Sequence, residues 1–320
     1  MNVSVLGCGR WGTFLAWYAN HIGHEVTLWG REGSKNLVAL KEHHKNEYLT
    51  LPESVVLTDN LEETIDKSEI IIISISAQQL RNFLKSVAKL PNLENKIFLL
   101  CMKGLEANTG KRLTQVFTEE MGAAIHVGVW LGPGHVQDFT RGIPNCMVIG
   151  SDEIAVTKKA VETFNSDLIR FYYGQDLIGN EIGAATKNVM GIAAGMLDGA
   201  GYSSLKGALM ARGTRELSRI IRAMGGNDLT IYGLSHLGDY EATLFSEHSN
   251  NRRFGEDYVK GIPFTKLAEG VATVEALHHL SKVYDVELPI CNALYAILFE
   301  HKETSQVLVD LFLRPVKFEF

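Results

Sequence analysis

The first half of the chain alternates short apolar runs with longer stretches of helical periodicity. Ile70-Ile71-Ile72-Ile73 has the continuous apolar character of a strand that is buried on both faces of a parallel sheet. Similar runs predict strands at residues 3–6, 25–29, 55–57, 70–73, 97–100, 127–131, 147–149 and 169–172. Helices are predicted in the gaps, for example at residues 35–48, 78–90, 111–121 and 153–164. This alternation predicts a Rossmann-like, doubly wound α/β sheet domain.

The pattern changes after about Gly174, where strand-like runs cease and helical periodicity continues to the C-terminus. We therefore predict two domains, a sheet domain at residues 1–178 and an all-helical domain at residues 179–320. Small and apolar residues dominate from Ile182 to Met196, which predicts a buried helix. The polar and basic segment at residues 249–255 is predicted to be a loop.

The first predicted strand runs directly into a glycine-rich turn. Gly7, Gly9 and Gly12 match the spacing G-x-G-x-x-G, and a helix pattern and a second strand follow them. These glycines allow a tight turn and let a pyrophosphate approach the backbone, where the N–H groups of the helix start bind it. The spacing alone is weak evidence, and a turn in an ordinary α/β domain is the alternative. Its place after the first strand favours a dinucleotide-binding domain at residues 1–178.

The residues after the second strand bear on the choice of cofactor. An acidic residue there would bond a ribose 2′-hydroxyl, whereas an arginine favours a 2′-phosphate. In this chain the strand is followed by Gly30 and Arg31. Arg31 therefore favours NADP over NAD, although a guanidinium that stacks on the adenine ring would serve both.

Lys187 stands within the predicted buried helix, among small and apolar neighbours. A lysine is costly to bury unless it has a partner or a chemical task. Burial disfavours the ammonium form and so eases proton release, which suits an acid–base lysine. The alternative is a side chain that extends from the edge of a core helix into solvent.

Other polar residues lie where a ligand is expected. Ligands of doubly wound sheets bind beyond the carboxyl ends of the strands, where the loops 74–78, 102–104 and 132–135 are predicted. Lys103 in the second loop could hold a phosphate or polarise a carbonyl, and an exposed loop lysine is its alternative. Asp239 follows a glycine turn in the helical half and could orient a lysine or bond a substrate hydroxyl.

Composition narrows the class of protein. The 320 residues are 46% hydrophobic and 21% charged, which suits a protein with a sizeable core. A formal net charge of −6 argues against nonspecific nucleic-acid binding. The four cysteines are scattered, so a metal site or a disulfide framework is not expected. No signal peptide or membrane span is recognised, and we expect a cytoplasmic protein without stable membrane insertion. A homodimer is a possible assembly, and the sequence leaves the oligomeric state open.

The motifs together resemble one family along essentially the whole chain. They are Gly7-Cys8-Gly9-Arg10-Trp11-Gly12-Thr13, Trp29-Gly30-Arg31, Lys103-Gly104-Leu105-Glu106, Gly132-Pro133, Gly183-Ala184-Ala185-Thr186-Lys187-Asn188-Val189, Arg212-Gly213, Gly238-Asp239, Asn251-Arg252-Arg253-Phe254-Gly255 and Glu269-Gly270. This set is similar to the bacterial type of NAD(P)-dependent glycerol-3-phosphate dehydrogenase. The resemblance implies reversible hydride transfer between NAD(P)H and dihydroxyacetone phosphate, which supplies sn-glycerol 3-phosphate for phospholipid synthesis.

The resemblance also implies roles for individual residues. Lys187, Lys103 and Asp239 are the expected catalytic residues. Lys187 is the expected proton donor and acceptor, and Lys103 is expected to contact both substrate and cofactor. The other expected substrate-binding residues are Gly132, Gly134, Asp239, Ser249, Asn250, Asn251 and Arg252. The expected cofactor-binding residues are Gly7, Gly9, Arg10, Trp11, Gly12, Arg31, Val136, Asn250 and Glu269. We expect residues 179–320 to bind a small phosphorylated substrate.

Four positions depart from the family pattern and leave the substrate open. The family's arginine is Asn250 here, so that the phosphate contact would pass to Arg252 or Arg253. Ser76, Gly134 and Ser204 differ in other loops that face the site. The alternatives are a paralogous dehydrogenase for another small phosphorylated or phosphonate carbonyl compound and a non-catalytic dinucleotide-binding sensor. Retention of Lys103, Lys187 and Asp239 argues against the sensor.

Overall fold

The computed structural model describes residues 1–316, 318 and 319, with the side chains of Glu241 and Phe312 excepted. Contacts divide the chain into two compact units. Unit 1 comprises residues 1–103 and 112–181, and unit 2 comprises residues 104–111 and 182–320. The boundary predicted after residue 178 stays a prediction.

A single eight-stranded sheet forms the centre of unit 1, and its strand order is β3-β2-β1-β4-β5-β6-β7-β8. The strands are β1 Asn2–Leu6, β2 Glu25–Trp29, β3 Val56–Thr58, β4 Ile70–Ile73, β5 Ile97–Leu100, β6 His126–Leu131, β7 Asn145–Gly150 and β8 Ile169–Gly174. All neighbours are parallel except β6 and β7. Val3 pairs with Val26 on one side and with Ile70 on the other, which places β1 inside the sheet. The predicted Rossmann-like sheet is confirmed.

Helices cover this sheet and bury its apolar strands. They are α1 Arg10–His21, α2 Lys35–His43, α3 Leu61–Asp66, α4 Leu80–Val87, α5 Leu113–Met121, α6 Val136–Thr140 and α7 Ile154–Phe164. The β4 isoleucines are fully buried, as their uninterrupted run predicts. Tyr18 of α1 packs edge-on against Trp130 of β6, and Trp130 contacts Phe164 of α7. These rings tie two helices to the middle of the sheet.

Unit 2 is helical throughout its described residues, as predicted. Its helices are α8 Leu177–Gly199, which begins in unit 1, α9 Lys206–Ala223, α10 Asn250–Val259, α11 Gly270–Val283, α12 Pro289–Leu298 and α13 Thr304–Phe312. Short 3₁₀ turns and one π-helical turn, Glu241–Phe245, connect α9 to α10. None of the helices in the described part of the chain has the length and apolar character needed to cross a membrane.

Three predictions of local structure were wrong. The helix predicted at 35–48 ends at His43, because His44 adopts a left-handed conformation and Asn46 then bonds the backbone of Tyr48. The helix predicted at 78–90 is a 3₁₀ turn followed by the shorter α4. The loop predicted at 249–255 is the start of α10.

Candidate active site

The glycine-rich turn between β1 and α1 has the shape of a phosphate cradle. Gly7 has φ +119°, and a Cβ atom there would lie 2.2 Å from the carbonyl oxygen of Ser74. A Cβ atom on Gly12 would lie 1.8 Å from the carbonyl oxygen of Gly7, so the first turn of α1 approaches the strand end closely. A Cβ atom on Gly9 would meet nothing within 4 Å. Two glycines therefore permit the packing, and the third leaves open space where a pyrophosphate could approach the backbone.

The predicted cofactor residues around this turn lie on α1 and α6. Arg10 donates from Nη2 to Oε1 of Gln137 over 2.8 Å, and this bond links the start of α1 to α6. Trp11 is half-buried beside Phe14, with ring centroids 4.9 Å apart. Val136 is buried at the first position of α6. These contacts fix the rim of the cradle within unit 1.

Arg31 lies just beyond β2 and is exposed. Its positive charge acts to lower the pKa of Cys8, the residue between the first two glycines. Burial raises the pKa of the Cys8 thiol, and a hydrogen bond with Ser34 and the Arg31 guanidinium oppose that effect. Arg31 is therefore near the glycine-rich turn, where an exposed guanidinium can bind a phosphate or stack on a purine.

Two predicted loops at the carboxyl ends of β5 and β6 meet in unit 1. Lys103 donates from Nζ to the carbonyl oxygen of Gly132 over 2.8 Å. The two strands are neighbours in the sheet, so their following loops emerge side by side. Gly134 has φ +152°, and a Cβ atom there would lie 2.3 Å from the ring of Phe139. A side chain at Gly134 would therefore meet the Phe139 ring.

Lys187 of α8 is 7% exposed and forms a buried ion pair in unit 2. Its Nζ lies 2.8 Å from Oδ2 of Asp239, which is 2% exposed. Nζ also donates to Oγ1 of Thr243 over 2.7 Å, and that hydroxyl donates to the carbonyl oxygen of Asp239 over 2.8 Å. The carboxylate stabilises the ammonium form of Lys187, and the two oxygens fix its direction. This arrangement presents a proton donor with a defined position.

His236 holds the Asp239 turn against α8. Its ring is fully buried, and Nδ1 lies 2.8 Å from the carbonyl oxygen of Gly183, one helical turn before Lys187. Nε2 lies 2.7 Å from the hydroxyl of Tyr240, which also accepts from Thr214 of α9. Burial lowers the pKa of His236 to about 4. A neutral ring satisfies this network, since Nδ1–H donates to the carbonyl and Nε2 accepts from the tyrosine.

Asn251 and Glu269 lie where α10 meets the start of α11. The Oδ1 atom of Asn251 accepts from the backbone N–H of Gly270 over 2.9 Å, and Glu269 is the N-cap residue of α11. A Cβ atom on Gly270 would lie 2.8 Å from the carbonyl oxygen of Asn188, the residue after Lys187. Only a glycine permits this approach, so the start of α11 is held next to the Lys187 segment.

The remaining predicted residues lie at the start of α10. Ser249 is the N-cap residue, and its side chain accepts from the N–H of Arg252 over 3.3 Å. Asn250 follows it and is exposed. Arg252 donates from Nε to Oδ2 of Asp198 over 2.7 Å, and the same oxygen lies 2.6 Å from Nζ of Lys206. The Arg252 guanidinium is thus bound to a carboxylate of its own chain.

Comparisons with known proteins identify the family of the chain. Residues 2–157 match the family model described as the NAD-dependent glycerol-3-phosphate dehydrogenase N-terminus, and residues 176–309 match its C-terminus. The chain is 35% identical to glycerol-3-phosphate dehydrogenase (NAD(P)+) of Pelodictyon phaeoclathratiforme over 100% of this chain and 99% of that protein. The protein of the same name from Chlorobium phaeobacteroides is 36% identical with the same coverage. The chain belongs to the NAD-dependent glycerol-3-phosphate dehydrogenase family.

A solved member of the family shares the fold. The crystal structure of glycerol-3-phosphate dehydrogenase from Coxiella burnetii is 26% identical in sequence and matches with a TM-score of 0.90. The match covers 98% of this chain and 99% of that one. The family membership expected from the motifs is confirmed. The roles of the individual site residues stay predictions.

Sequence reasoning missed two residues next to Lys187. Thr243 contacts Lys187 across 56 positions of sequence, and no motif marks it apart from its place four residues after Asp239. His236 belongs to the turn that was recognised only for its glycines and for Asp239. No three histidine, cysteine, aspartate or glutamate side chains of the described residues are grouped so that they could hold a metal ion.

Proposed function

We propose that the protein reduces dihydroxyacetone phosphate to sn-glycerol 3-phosphate with NAD(P)H and catalyses the reverse reaction. The observation that carries this proposal is the buried Lys187–Asp239 pair, at 2.8 Å, in a chain that also has a dinucleotide cradle. Family membership and the names of the relatives support the same reaction.

Lys187 acts as the general acid in the reductive direction. When bound, NAD(P)H would supply the hydride for the carbonyl carbon, and negative charge would then develop on the carbonyl oxygen. The Lys187 ammonium gives its proton to that oxygen and takes it back in the reverse reaction. Asp239 forms an ion pair with the Lys187 ammonium, and Thr243 holds Nζ in position through the 2.7 Å hydrogen bond. Asp239 and Thr243 thus orient the proton donor.

The residues of unit 1 bind the cofactor in this proposal. The open space at Gly9 and the N–H groups of the α1 start receive the pyrophosphate. Arg31, exposed beside the turn, binds the adenosine end. Lys103 serves as a contact for cofactor and substrate, and its 2.8 Å bond to the Gly132 carbonyl holds the side chain in one direction.

A second candidate substrate is favoured by the start of α10. Asn250 is neutral, and the Arg252 guanidinium is already held by Asp198. Of the two arginines that could replace the missing phosphate contact, Arg253 is the exposed one. A paralogous dehydrogenase for another small phosphorylated or phosphonate carbonyl compound therefore remains the alternative. In either case the substrate is a small anion, and a cytoplasmic location, dimerisation and a role in phospholipid supply stay predictions.

A steady-state assay separates the two candidates. The purified protein is given NADPH or NADH with dihydroxyacetone phosphate, glyceraldehyde 3-phosphate, phosphonate analogues of both and unphosphorylated dihydroxyacetone. We expect the highest kcat/KM with dihydroxyacetone phosphate and the loss of most efficiency without the phosphate group. A higher kcat/KM with a different phosphorylated carbonyl compound would favour the paralogue. Cofactor binding without turnover of any compound would contradict both.

A further inference from the structure

Unit 2 contains an apolar cavity of about 230 Å³ that lies apart from the Lys187 pair. Helices α8, α9, α12 and α13 enclose it, and none of its lining residues is Lys187, Asp239 or Thr243. Much of its wall consists of buried aliphatic side chains, among them Met196, Leu197, Leu209, Leu294, Ile297 and Val307. Apolar cavities of about 150 Å³ stay dry and accept benzene, so this one has room for a larger alkyl or aryl group.

Charged side chains also line the cavity, and arginines outnumber glutamates. The arginines are Arg212, Arg219 and Arg314, and the glutamates are Glu216 and Glu287. Arg314 and Glu287 form an ion pair in which Nη2 lies 3.4 Å from Oε2. The charged residues that remain in the lining are Arg212, Arg219 and Glu216. Whether an arginine is left without a carboxylate partner therefore depends on the contacts of Glu216.

Glu216 is bound to the start of α12. Its two carboxyl oxygens accept from the backbone N–H groups of Ile290, at 2.8 Å, and Cys291, at 2.9 Å. Burial raises the pKa of the Glu216 carboxyl, and the two backbone bonds and the charge of Arg219 only partly oppose this. Glu216 therefore caps the start of α12, and it does not accept a hydrogen bond from Nε of Arg219.

Among the charged residues that line the cavity, Arg219 has a buried polar atom without a hydrogen-bond partner. Its Nε is shielded from solvent and has no hydrogen-bond partner in the described part of the chain. A buried donor without an acceptor is costly, and such groups call for a missing water or ion. An anion in the cavity would give Nε of Arg219 the acceptor that it lacks, and Arg212, which is exposed, adds a second positive charge.

We propose that this cavity binds a small amphiphilic anion, whose alkyl or aryl body lies among α8, α9, α12 and α13 and whose anionic group pairs with Arg219. Pockets of this kind are mostly apolar, with a few polar groups that orient the ligand. The apolar wall favours a ligand with an alkyl or aryl body, and the arginines favour a ligand with a negative charge.

Octanoate is the probe for this site, measured against the full-length protein by isothermal titration calorimetry. Octan-1-ol and octylammonium, which have the same chain length, are the matched controls for the charge. We expect saturable binding of octanoate to one site, binding of octan-1-ol that is weaker by about tenfold or more, and no binding of octylammonium. Equal binding of octanoate and octan-1-ol would overturn the role of the arginine.

Variants locate the binding. Arg219→Gln should weaken octanoate about tenfold or more and leave octan-1-ol unchanged. Arg222→Gln is the control, because Arg222 lies one turn further along α9, pairs with Asp228 and does not line the cavity.

Ala293→Phe and Ala208→Phe should each abolish octanoate binding by filling the cavity. Ala208 is exposed, so Ala208→Phe is expected to fold and can test the cavity if Ala293→Phe does not fold. Unchanged octanoate binding in Arg219→Gln or in a folded phenylalanine variant, or none in the native protein, would refute the proposal.

Discussion

His236 donates a hydrogen bond to the carbonyl oxygen of Gly183 over 2.8 Å and so joins the Asp239 turn to the helix of Lys187. The ring is neutral in this network, and burial lowers the pKa of His236 to about 4 from an ordinary value of 6.5. The neighbouring charge of Lys187 lowers the pKa further, while the Gly183 bond and Asp239 oppose it. The unfolded chain therefore binds a proton at this residue at a higher pH than the folded protein does.

The pH dependence of stability follows from this difference. Between pH 6.5 and about 4 the unfolded state is the more protonated one, so stability is lost as the pH falls through this range. We expect the His236 contribution to fall by about 2 kcal/mol between pH 7 and pH 5. Urea unfolding at both pH values measures it, with His236→Gln as the non-titrating control. An equal pH dependence in both proteins would contradict the assignment of this loss to His236.

Lys187→Ala tests the proton donor. We expect turnover to fall by about a hundredfold or more, the usual scale for a lost general acid, with NAD(P)H affinity nearly unchanged. Stopped-flow or steady-state kinetics and a fluorescence titration with NADPH measure the two quantities. Small primary amines added to Lys187→Ala should restore part of the activity, because they can replace the missing amino group as proton donor. A lysine with a purely structural role would not be replaced in this way.

Lys96→Met is a matched control for Lys187→Ala. Lys96 is also buried, and its Nζ bonds the carbonyl oxygens of Asp66 and Ser68 at 2.8 Å each in unit 1. A folded Lys96→Met protein should keep its turnover. If Lys187→Ala retained most of its activity, Lys187 would be a structural lysine.

Arg31→Ala tests the choice of cofactor. An exposed guanidinium beside the glycine-rich turn can pair with the 2′-phosphate of NADPH, which NADH lacks. We expect the KM for NADPH to rise well beyond the KM for NADH. Lys35→Ala, at an exposed cation that begins α2, controls for a general loss of positive charge. An equal rise for both cofactors would indicate stacking on the adenine ring.

The sequence predicted those parts of the fold that depend on local patterns. The Ile70–Ile73 strand follows from an uninterrupted apolar run, and the cradle from glycines at Gly7, Gly9 and Gly12 that must admit close backbone contact. The Lys187–Asp239 pair was anticipated in part, because a buried lysine needs a partner and Asp239 follows a glycine turn.

What sequence reasoning missed depends on contacts between distant segments. The residues of α10 have few apolar side chains at helical spacing, so the segment resembles a loop. In the structure Ser249 caps this helix, and Gly255 lets it cross α8, where a Cβ atom would lie 2.1 Å from the carbonyl oxygen of Ile192. Thr243 reaches Lys187 from a π-helical turn that has no characteristic sequence pattern.

Asn250→Arg tests the departure with the largest consequence for the substrate. A neutral, short asparagine cannot replace a bidentate contact between a guanidinium and a phosphate. Asn250 is exposed at the first position of α10, so an arginine there can extend without a clash in the core. We expect kcat/KM for dihydroxyacetone phosphate to rise about tenfold if the new contact restores roughly 1.4 kcal/mol.

Asn250→Gln and Arg253→Ala complete this test. The glutamine variant lengthens the side chain without charge and should leave kcat/KM unchanged. Arg253→Ala should lower kcat/KM if Arg253 supplies the phosphate contact in the native protein, because Arg252 is held by Asp198 at 2.7 Å. High native efficiency that falls in Asn250→Arg would mean that the pocket is built around Asn250. If neither the native protein nor Asn250→Arg turned over dihydroxyacetone phosphate, the paralogous dehydrogenase would be favoured, because the added cation would not have produced activity with this substrate.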